Sequence, residues 1–354
     1  MSEPSDLEIR PVDPFDDPTF ARWHAVYVAA LEDVVGEAAQ VYELPETRAQ
    51  WQQPTSDQVQ HGFAGFDDGE LVAIGAVVLP QRENLTTAVV EVAVDPAHQG
   101  RGHGWAMLAH VEDVAREAGR TLLHCNLRWP YEAGSDGAGS RCVEFATAHG
   151  FRLGLGDVQR WLDLPLDEDL LDELAAEAAP HHEGYELLTW IGAVPDDLAP
   201  TWAALDGSLM TEAPTGDLEI ETMDVDVDRL REQEASLARQ NREAYHAVAV
   251  VLAAGGGREV VAYTTIVQGN ASTDAFQWGT LVHRDHRGHR LGLAVKAANH
   301  RQHQRARPDT RRVVTWNAEV NDHMIAVNDR LGFRPASRMG EFQKHLTDPS
   351  RPTQ

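Results

Sequence analysis

Val94-Asp-Pro-Ala-His-Gln-Gly-Arg-Gly-His-Gly104 is a glycine-rich segment between a stretch typical of a β-strand, Thr86–Val94, and a stretch with helical apolar spacing that ends at Gly119. A glycine-rich turn in this context lets successive backbone N–H groups converge on a phosphate. The unpaired donors and the dipole of the following helix both favour an anion there. The segment therefore predicts a phosphate-binding turn at a helix N-terminus.

Two other phosphate motifs are excluded by the residues of this segment. It does not end in the Gly-Lys-Ser/Thr of a nucleoside-triphosphate loop, and its glycines do not have the G-x-G-x-x-G spacing of a dinucleotide-binding turn. A tight strand-to-helix turn without a ligand is the remaining structural alternative.

Strand and helix patterns alternate on both sides of the glycine-rich segment, which predicts a mixed α/β domain. The predicted strands and helices of this half are Leu7–Arg10, Pro18–Leu31, Leu71–Leu79, Thr86–Val94, Thr121–Leu127 and Arg141–His149. The two strands before the segment are expected to form an antiparallel hairpin.

The second half repeats this order of elements, which indicates an internal duplication. Its predicted elements are Tyr185–Ile191, Leu198–Leu209, Ala247–Leu252, Val260–Val267 and Phe276–Val282. The acidic, alanine-rich segment Leu164–Pro180 lies between the halves and is typical of a connecting helix. We therefore expect domains at residues 1–165 and 184–354, joined by a linker at 166–183.

The pattern V-x-P-x-x-Q-G-x-G-x-G resembles the cofactor-binding motif of the GNAT acetyltransferases. Its matching positions are Val94, Pro96, Gln99, Gly100, Gly102 and Gly104. The resemblance implies two tandem GNAT-like α/β domains, each with a mixed, mostly antiparallel sheet flanked by helices. It also implies acetyl-CoA as cosubstrate, with its pyrophosphate in the glycine-rich turn. The tandem layout is similar to that of mycothiol synthase.

The same resemblance implies the residues that bind the cofactor. In the first half they are Val92, Val94, Gln99, Gly100, Arg101, Gly102, His103 and Gly104. In the second half they are Val282, Arg287, Gly288, His289, Arg290, Leu291 and Gly292, together with Asn321 for the pantetheine arm or the phosphates. Arg290 replaces the central glycine, so its N–H and guanidinium contact phosphate or its side chain obstructs the turn. An N-cap is the local alternative for Asn321.

Acyl transfer to an amine requires a group that removes a proton from the nucleophile. The resemblance implies that this base is Glu91, on the strand before the turn. The corresponding residue of the second half is Gly279, and therefore the N-terminal domain is the preferred catalytic half. Many relatives have a tyrosine as general acid where this chain has Ala146 and Asn328, so no general acid is assigned. The alternatives are an active C-terminal domain or a non-catalytic acyl-CoA-binding sensor or scaffold.

The overall charge narrows the range of partners. The chain of 354 residues has 56 acidic and 30 basic residues, a formal net charge of -26, which repels nucleic acid and anionic lipid surfaces. We expect neither as a partner. The expected partner is a small-molecule or peptide amine, and a monomer or homodimer is expected.

Cysteine and histidine positions predict no metal site. Cys125 and Cys142 have no metal-type spacing and are expected to be core thiols. His283, His286 and His289 recur every three residues across the second predicted turn, where solvated loop histidines are expected. The N-terminus has no signal-peptide pattern and no segment is long and apolar enough to span a bilayer, so we expect a cytoplasmic protein.

Overall fold

The computed structural model describes residues 6–53, 55–212, 214–253 and 255–346. The chain forms two compact units. Unit 1 contains the chain up to Val158, Thr215–Glu221 and the segment that starts at Ala336, and unit 2 contains Gln159–Pro214 and Thr222–Pro335. The units are therefore not two contiguous halves, because strand residues from Ala336 onwards belong to unit 1. The domain limits at 165 and 184 stay a prediction.

The sheet of unit 1 has the strand order β1-β2-β3-β4-β5-β12. These strands are β1 Glu8–Pro11, β2 Gln58–Asp67, β3 Glu70–Pro80, β4 Thr87–Val94, β5 Leu122–Pro130 and β12 Arg334–His345. All neighbouring pairs are antiparallel except β4 and β5, which are parallel. Strand β6, Arg152–Asp163, begins in unit 1 and ends in unit 2. The predicted hairpin of β3 and β4 is confirmed.

Helices pack on both faces of this sheet. They are α1 Asp17–Val35, α2 Leu44–Trp51, α3 His103–Glu117 and α4 Arg141–Ala148. The core on one face contains Met107, Leu108 and Val111 of α3, and the core on the other contains Phe20 and Trp23 of α1. Strand β3 is buried on both faces, which explains its nearly continuous apolar sequence.

Unit 2 repeats this topology with the strand order β6-β11-β10-β9-β8-β7. Its strands are β7 Glu186–Ile191, β8 Arg242–Leu252, β9 Arg258–Gly269, β10 Asp274–Val282 and β11 Arg312–Ala318. Its helices are α5 Glu168–Ala178, α6 Ala199–Gly207, α7 Leu209–Glu212, α8 Val227–Arg239, α9 Leu291–Ala306 and α10 Asp322–Leu331. Strands β10 and β11 are again the parallel pair. None of the helices in the described ranges has the length and hydropathy of a membrane span.

Candidate active site

The parallel strands of each unit pair over only three residues. In unit 1, Thr87–Val89 of β4 pairs with Leu122–His124 of β5. In unit 2, Asp274–Phe276 of β10 pairs with Arg312–Val314 of β11. Past these residues each pair stops pairing although both strands continue. A wedge-shaped gap therefore opens in each sheet just before the glycine-rich turn.

The backbone of β4 presents hydrogen-bonding groups to this gap. The Asp95 N–H donates to the Val72 carbonyl, 2.8 Å away on the β3 side. Backbone groups of successive strand residues point to opposite sides, so those of Val92 and Val94 point towards β5. The Val94 carbonyl accepts a hydrogen bond from Gln99 Nε2 at 3.2 Å. The N–H and carbonyl of Val92 are thus directed into the gap, where an extended ligand can pair with them.

Two glycines give the turn in unit 1 its shape. Gly100 and Gly102 have φ angles of 78° and 86°, in the left-handed region that favours glycine. Gly102 is the N-cap of α3, and its carbonyl accepts from the Trp105 and Ala106 N–H groups, each at 3.1 Å, so the helix begins at the turn and directs its N-terminal end towards it. The Asp95 carboxylate fixes the start of the turn by accepting from the Ala97 N–H at 3.0 Å and from Arg22 at 2.8 Å.

Side chains beside this turn differ in what they can offer an anion. The Arg101 side chain is 54% exposed, and its guanidinium lies 3.9 Å from Asp67. The His103 ring is only 4% exposed and faces the same Asp67 carboxylate at 3.4 Å. Among the predicted cofactor residues, Arg101 can therefore contact phosphate with its side chain. His103 can do so only with its backbone.

The turn of unit 2 follows the same backbone path. Gly288 has a φ of 85°, and Arg290 has a φ of 52° as the N-cap of α9, the position that Gly102 has in α3. A left-handed conformation costs a non-glycine residue about 1–2 kcal/mol. Arg287 Nε donates to the Val282 carbonyl at 3.4 Å, which repeats the contact of Gln99 with Val94.

Arginines of the second turn are held by carboxylates. Arg290 forms an ion pair with Glu177 of α5, which also pairs with Arg330. Arg287 and Arg284 both pair with Glu212, at 2.7 and 2.8 Å. A phosphate bound at this turn would compete with these carboxylates for the arginine side chains. In unit 1 the arginine of the turn itself, Arg101, has a longer ion pair, 3.9 Å from Asp67.

Glu91 lies on the face of β4 that points towards α1. Its neighbours Val90 and Val92 pack in the core beside α3, whereas Ala93 packs on the α1 face. By strand alternation Glu91 also faces α1, and its side chain is exposed. The surrounding protein nevertheless desolvates the carboxylate and raises its pKa to about 7, with Arg128 acting in the opposite direction. Glu91 is therefore both reachable from solvent and able to exchange a proton near neutral pH.

Residues near Glu91 include two that the sequence did not single out. The charge of Glu91 is the largest cause that raises the pKa of Tyr27 on α1, so the Tyr27 phenol keeps its proton. Arg128 of β5 donates to the Gln40 carbonyl at 3.0 Å, which ties the loop after α1 to the sheet. Neither contact can be predicted from a local sequence pattern, because each joins residues that are far apart in the chain.

In unit 2, a tyrosine side chain occupies the space beside Gly279, the residue that corresponds to Glu91. A Cβ atom on Gly279 would lie 2.5 Å from the Tyr263 hydroxyl oxygen. Tyr263 is fully buried and donates to Asp206 Oδ1 at 2.6 Å. Burial raises the pKa of the Asp206 carboxyl. Unit 2 therefore has a packed tyrosine where unit 1 has an accessible carboxylate.

The other residues considered in the sequence analysis make contacts within the protein in this structure. Ala146 is buried in the core of unit 1. In unit 2, Asn328 is buried and donates to Asn317 Oδ1 at 2.6 Å, while Lys296 donates to Asn328 Oδ1 at 2.8 Å. Asn321 caps α10 by accepting from the Met324 N–H at 3.2 Å.

Replacing Lys296 with Met is expected to stabilise the protein at pH 7 by about 2 kcal/mol, the size found when buried charges are replaced by apolar residues. Burial lowers the pKa of Lys296 from 10.5 to about 7. Between these values the unfolded chain binds more protons, so this lysine costs stability as the pH falls from about 10 to 7. Denaturant unfolding at both pH values measures the gain, which should shrink at pH 10.

The chain's other lysine is the control for this prediction. Lys344 is ion-paired with Glu112 at 2.5 Å in unit 1. Lys344→Met should destabilise the protein, because it leaves a largely buried carboxylate without this partner. A loss of stability at pH 7 in Lys296→Met would show that the hydrogen bond to Asn328 outweighs the cost of burial.

Comparisons with known proteins agree with the fold, and a family match covers the part of unit 1 that contains the glycine-rich turn. Residues 12–128 match the acetyltransferase (GNAT) family. Mycothiol acetyltransferase of Rothia mucilaginosa is 32% identical over 135 residues, which is 37% of this chain and 36% of that protein. The alignment thus spans little more than a third of this relative.

Two solved structures resemble the chain over nearly its whole length. A tandem GNAT protein from the clavulanic acid biosynthesis pathway is 28% identical, covering 97% of this chain and 100% of its own, with a TM-score of 0.78. A GNAT-type N-acetyltransferase of Sphaerobacter thermophilus is 15% identical, with 98% of both chains covered and a TM-score of 0.64, a likeness of fold alone. The predicted fold of two tandem GNAT-like α/β domains is confirmed.

Proposed function

Because residues 12–128 belong to the acetyltransferase (GNAT) family, within a chain that has the tandem GNAT fold, we propose that this protein is an acyl-CoA-dependent N-acyltransferase. The reaction would transfer an acetyl group from acetyl-CoA to a primary amine in unit 1. The observation that carries the proposal is the accessible carboxylate of Glu91, with a pKa near 7, beside the gap between β4 and β5.

The residues present fit an acyl-CoA. The left-handed turn at Gly100 and Gly102 directs the N-terminal end of α3 towards the pyrophosphate, with the exposed Arg101 beside it. The gap beside β4 offers the Val92 backbone to the extended pantetheine arm. When bound, acetyl-CoA supplies an activated acyl group as a thioester.

Each chemical requirement of the transfer has a candidate group in unit 1. The Glu91 carboxylate accepts a proton from the amine, which leaves nitrogen a free electron pair for attack on the thioester carbonyl. A β4 backbone N–H directed into the gap stabilises the negative charge that develops on the carbonyl oxygen. The C–S bond then breaks and its electrons leave with sulfur. After the attack the nitrogen gives its surplus proton to water. Because Ala146 cannot protonate the thiolate, water also supplies the proton that sulfur takes up, so these two transfers balance.

We propose that unit 2, which contains most of the predicted C-terminal domain, is non-catalytic. The alternative is that this domain is the active one. Tyr263 occupies the place of a base, and the arginines of its turn are held by Glu177 and Glu212. Amine-dependent release of CoA thiol from acetyl-CoA tests the proposed activity directly. Acetyl-CoA binding without thiol release for any amine in a broad panel would favour a sensor or scaffold instead.

The pH dependence of kcat/KM is expected to report Glu91. Below about pH 7 the rate should fall by roughly tenfold per pH unit, because the base becomes protonated, and above that pH it should level off. An acceptor whose own amine pKa lies below 6 is needed so that only the enzyme titrates. A single limb near pH 4.5 would show that Glu91 is an ordinary solvated carboxylate.

A further inference from the structure

Unit 1 has an aromatic cluster beside its phosphate-binding turn that the proposed chemistry does not use. It consists of Trp105 on the first turn of α3, with Phe145 and His149 at the end of α4. The ring centres of Trp105 and His149 are 6.3 Å apart, and those of Phe145 and His149 are 4.3 Å apart. Trp105 is 37% exposed, so part of its indole ring is open to solvent.

The cluster lies at the turn itself. Side chains of a helix lean towards its N-terminus, so the Trp105 ring lies beside the start of α3, where the helix meets the turn. A Cβ atom on Gly104 would lie 3.7 Å from the Phe145 ring, which places α4 against the same turn. His149 is oriented by a 2.8 Å contact between its Nδ1 atom and the Phe145 carbonyl.

The fold does not require these aromatic residues. Gly292 corresponds to Gly104, and hence Leu293 corresponds to Trp105. In the same way Leu331 precedes Gly332 as His149 precedes Gly150. Both leucines are buried in the core of unit 2. The duplicated half thus packs aliphatic side chains where unit 1 has the exposed Trp105 and the half-buried His149.

We propose that Trp105 and His149 form a stacking surface for the adenine base of the acyl-CoA bound at the turn of unit 1. In CoA the adenosine is joined to the pyrophosphate, so a base that follows phosphates held by α3 lies within reach of the first helical turn. A purine has the flat π-face that an exposed indole favours. This inference rests on the proposed function and assigns to this site the part of the cosubstrate that does not react.

Three ligands separate stacking from a general effect on the turn. CoA carries adenine, phosphates and pantetheine, 3′,5′-ADP lacks the pantetheine, and 4′-phosphopantetheine lacks the adenosine. Base–aromatic stacking contributes about 1–3 kcal/mol, equivalent to roughly 5- to 150-fold in affinity. Trp105→Ala should weaken binding of CoA and 3′,5′-ADP by a factor in this range and leave 4′-phosphopantetheine unchanged, as measured by calorimetry.

Trp105→Phe is the matched variant, because it keeps an aromatic face and should recover most of the affinity for CoA. An equal loss for 4′-phosphopantetheine, or no loss for CoA, would overturn the stacking surface while the proposed acyltransferase stands. If the unchanged protein binds none of the three ligands, the proposed function fails first. Thermal unfolding of each variant distinguishes these outcomes from a loss of fold.

Discussion

Glu91→Gln is expected to lower kcat/KM for amine acetylation by about 10²- to 10⁴-fold, the usual contribution of a positioned general base. The amide has nearly the shape of the carboxylate but cannot accept the proton. Glu91 faces α1, whereas the turn with the predicted cofactor residues leads into α3 on the other face of the sheet, so acetyl-CoA affinity should change little. Steady-state kinetics together with calorimetric titration of acetyl-CoA measures both quantities.

The residual activity of this variant provides a second test. Because the titrating group is gone, the limb near pH 7 should disappear from its pH profile. Glu91→Asp keeps the carboxylate but shortens the side chain, and it should retain more activity than Glu91→Gln. Full activity of Glu91→Gln at every pH would make Glu91 an ordinary strand residue and would leave proton removal to water.

The local parts of the fold were predictable from the sequence, because their signals lie within short segments. The glycine spacing from Gly100 to Gly104 predicted a turn between a strand and a helix, and β4 and α3 are found there. The apolar run in β3 and the helical spacing of apolar residues in α3 were likewise sufficient to predict a strand and a helix. Helix α2 and strand β2 were not predicted, since the first is short and polar and the second contains glycine, glutamine and histidine.

Strand β12 shows what local patterns could not predict. Its residues suit a strand, but nothing in them indicates that Phe342 pairs with Cys125 of β5 in unit 1. That pairing is decided by packing, and Phe342 fills the core beside Trp129. The same limit applies to the site. Glu91 followed from a motif, whereas Tyr263 under Gly279 depends on a tertiary contact.

Arg290, which replaces a glycine in the second turn, shows the same limit of prediction from local sequence patterns. The sequence left open whether Arg290 contacts phosphate or obstructs the turn. In the structure its backbone keeps the left-handed path and its guanidinium is paired with Glu177. Obstruction by the side chain is therefore not needed to weaken this turn, because a ligand phosphate would have to displace a carboxylate that is already in place.

Two substitutions, each at a left-handed glycine of one turn, test which turn binds the cosubstrate. Gly102→Glu should reduce acetyl-CoA affinity at least about 100-fold, whereas Gly288→Glu should leave it nearly unchanged. The two glycines have φ angles of 86° and 85°, so both substitutions carry a similar backbone strain. Around Gly288 a Cβ atom would meet nothing within 4 Å, which makes this variant a fair control for folding.

The size of the effect follows from the backbone hydrogen bonds to phosphate that the new side chain of the first substitution blocks. A hydrogen bond to a charged group contributes about 1.5–3 kcal/mol, and the loss of two such bonds to phosphate corresponds to 100-fold or more. The new carboxylate also repels the phosphates. Calorimetry should find one site in the unchanged protein. A site that survives Gly102→Glu but disappears in Gly288→Glu would move cosubstrate binding to unit 2, where Tyr263 excludes a base equivalent to Glu91, and catalysis would then have to proceed through water.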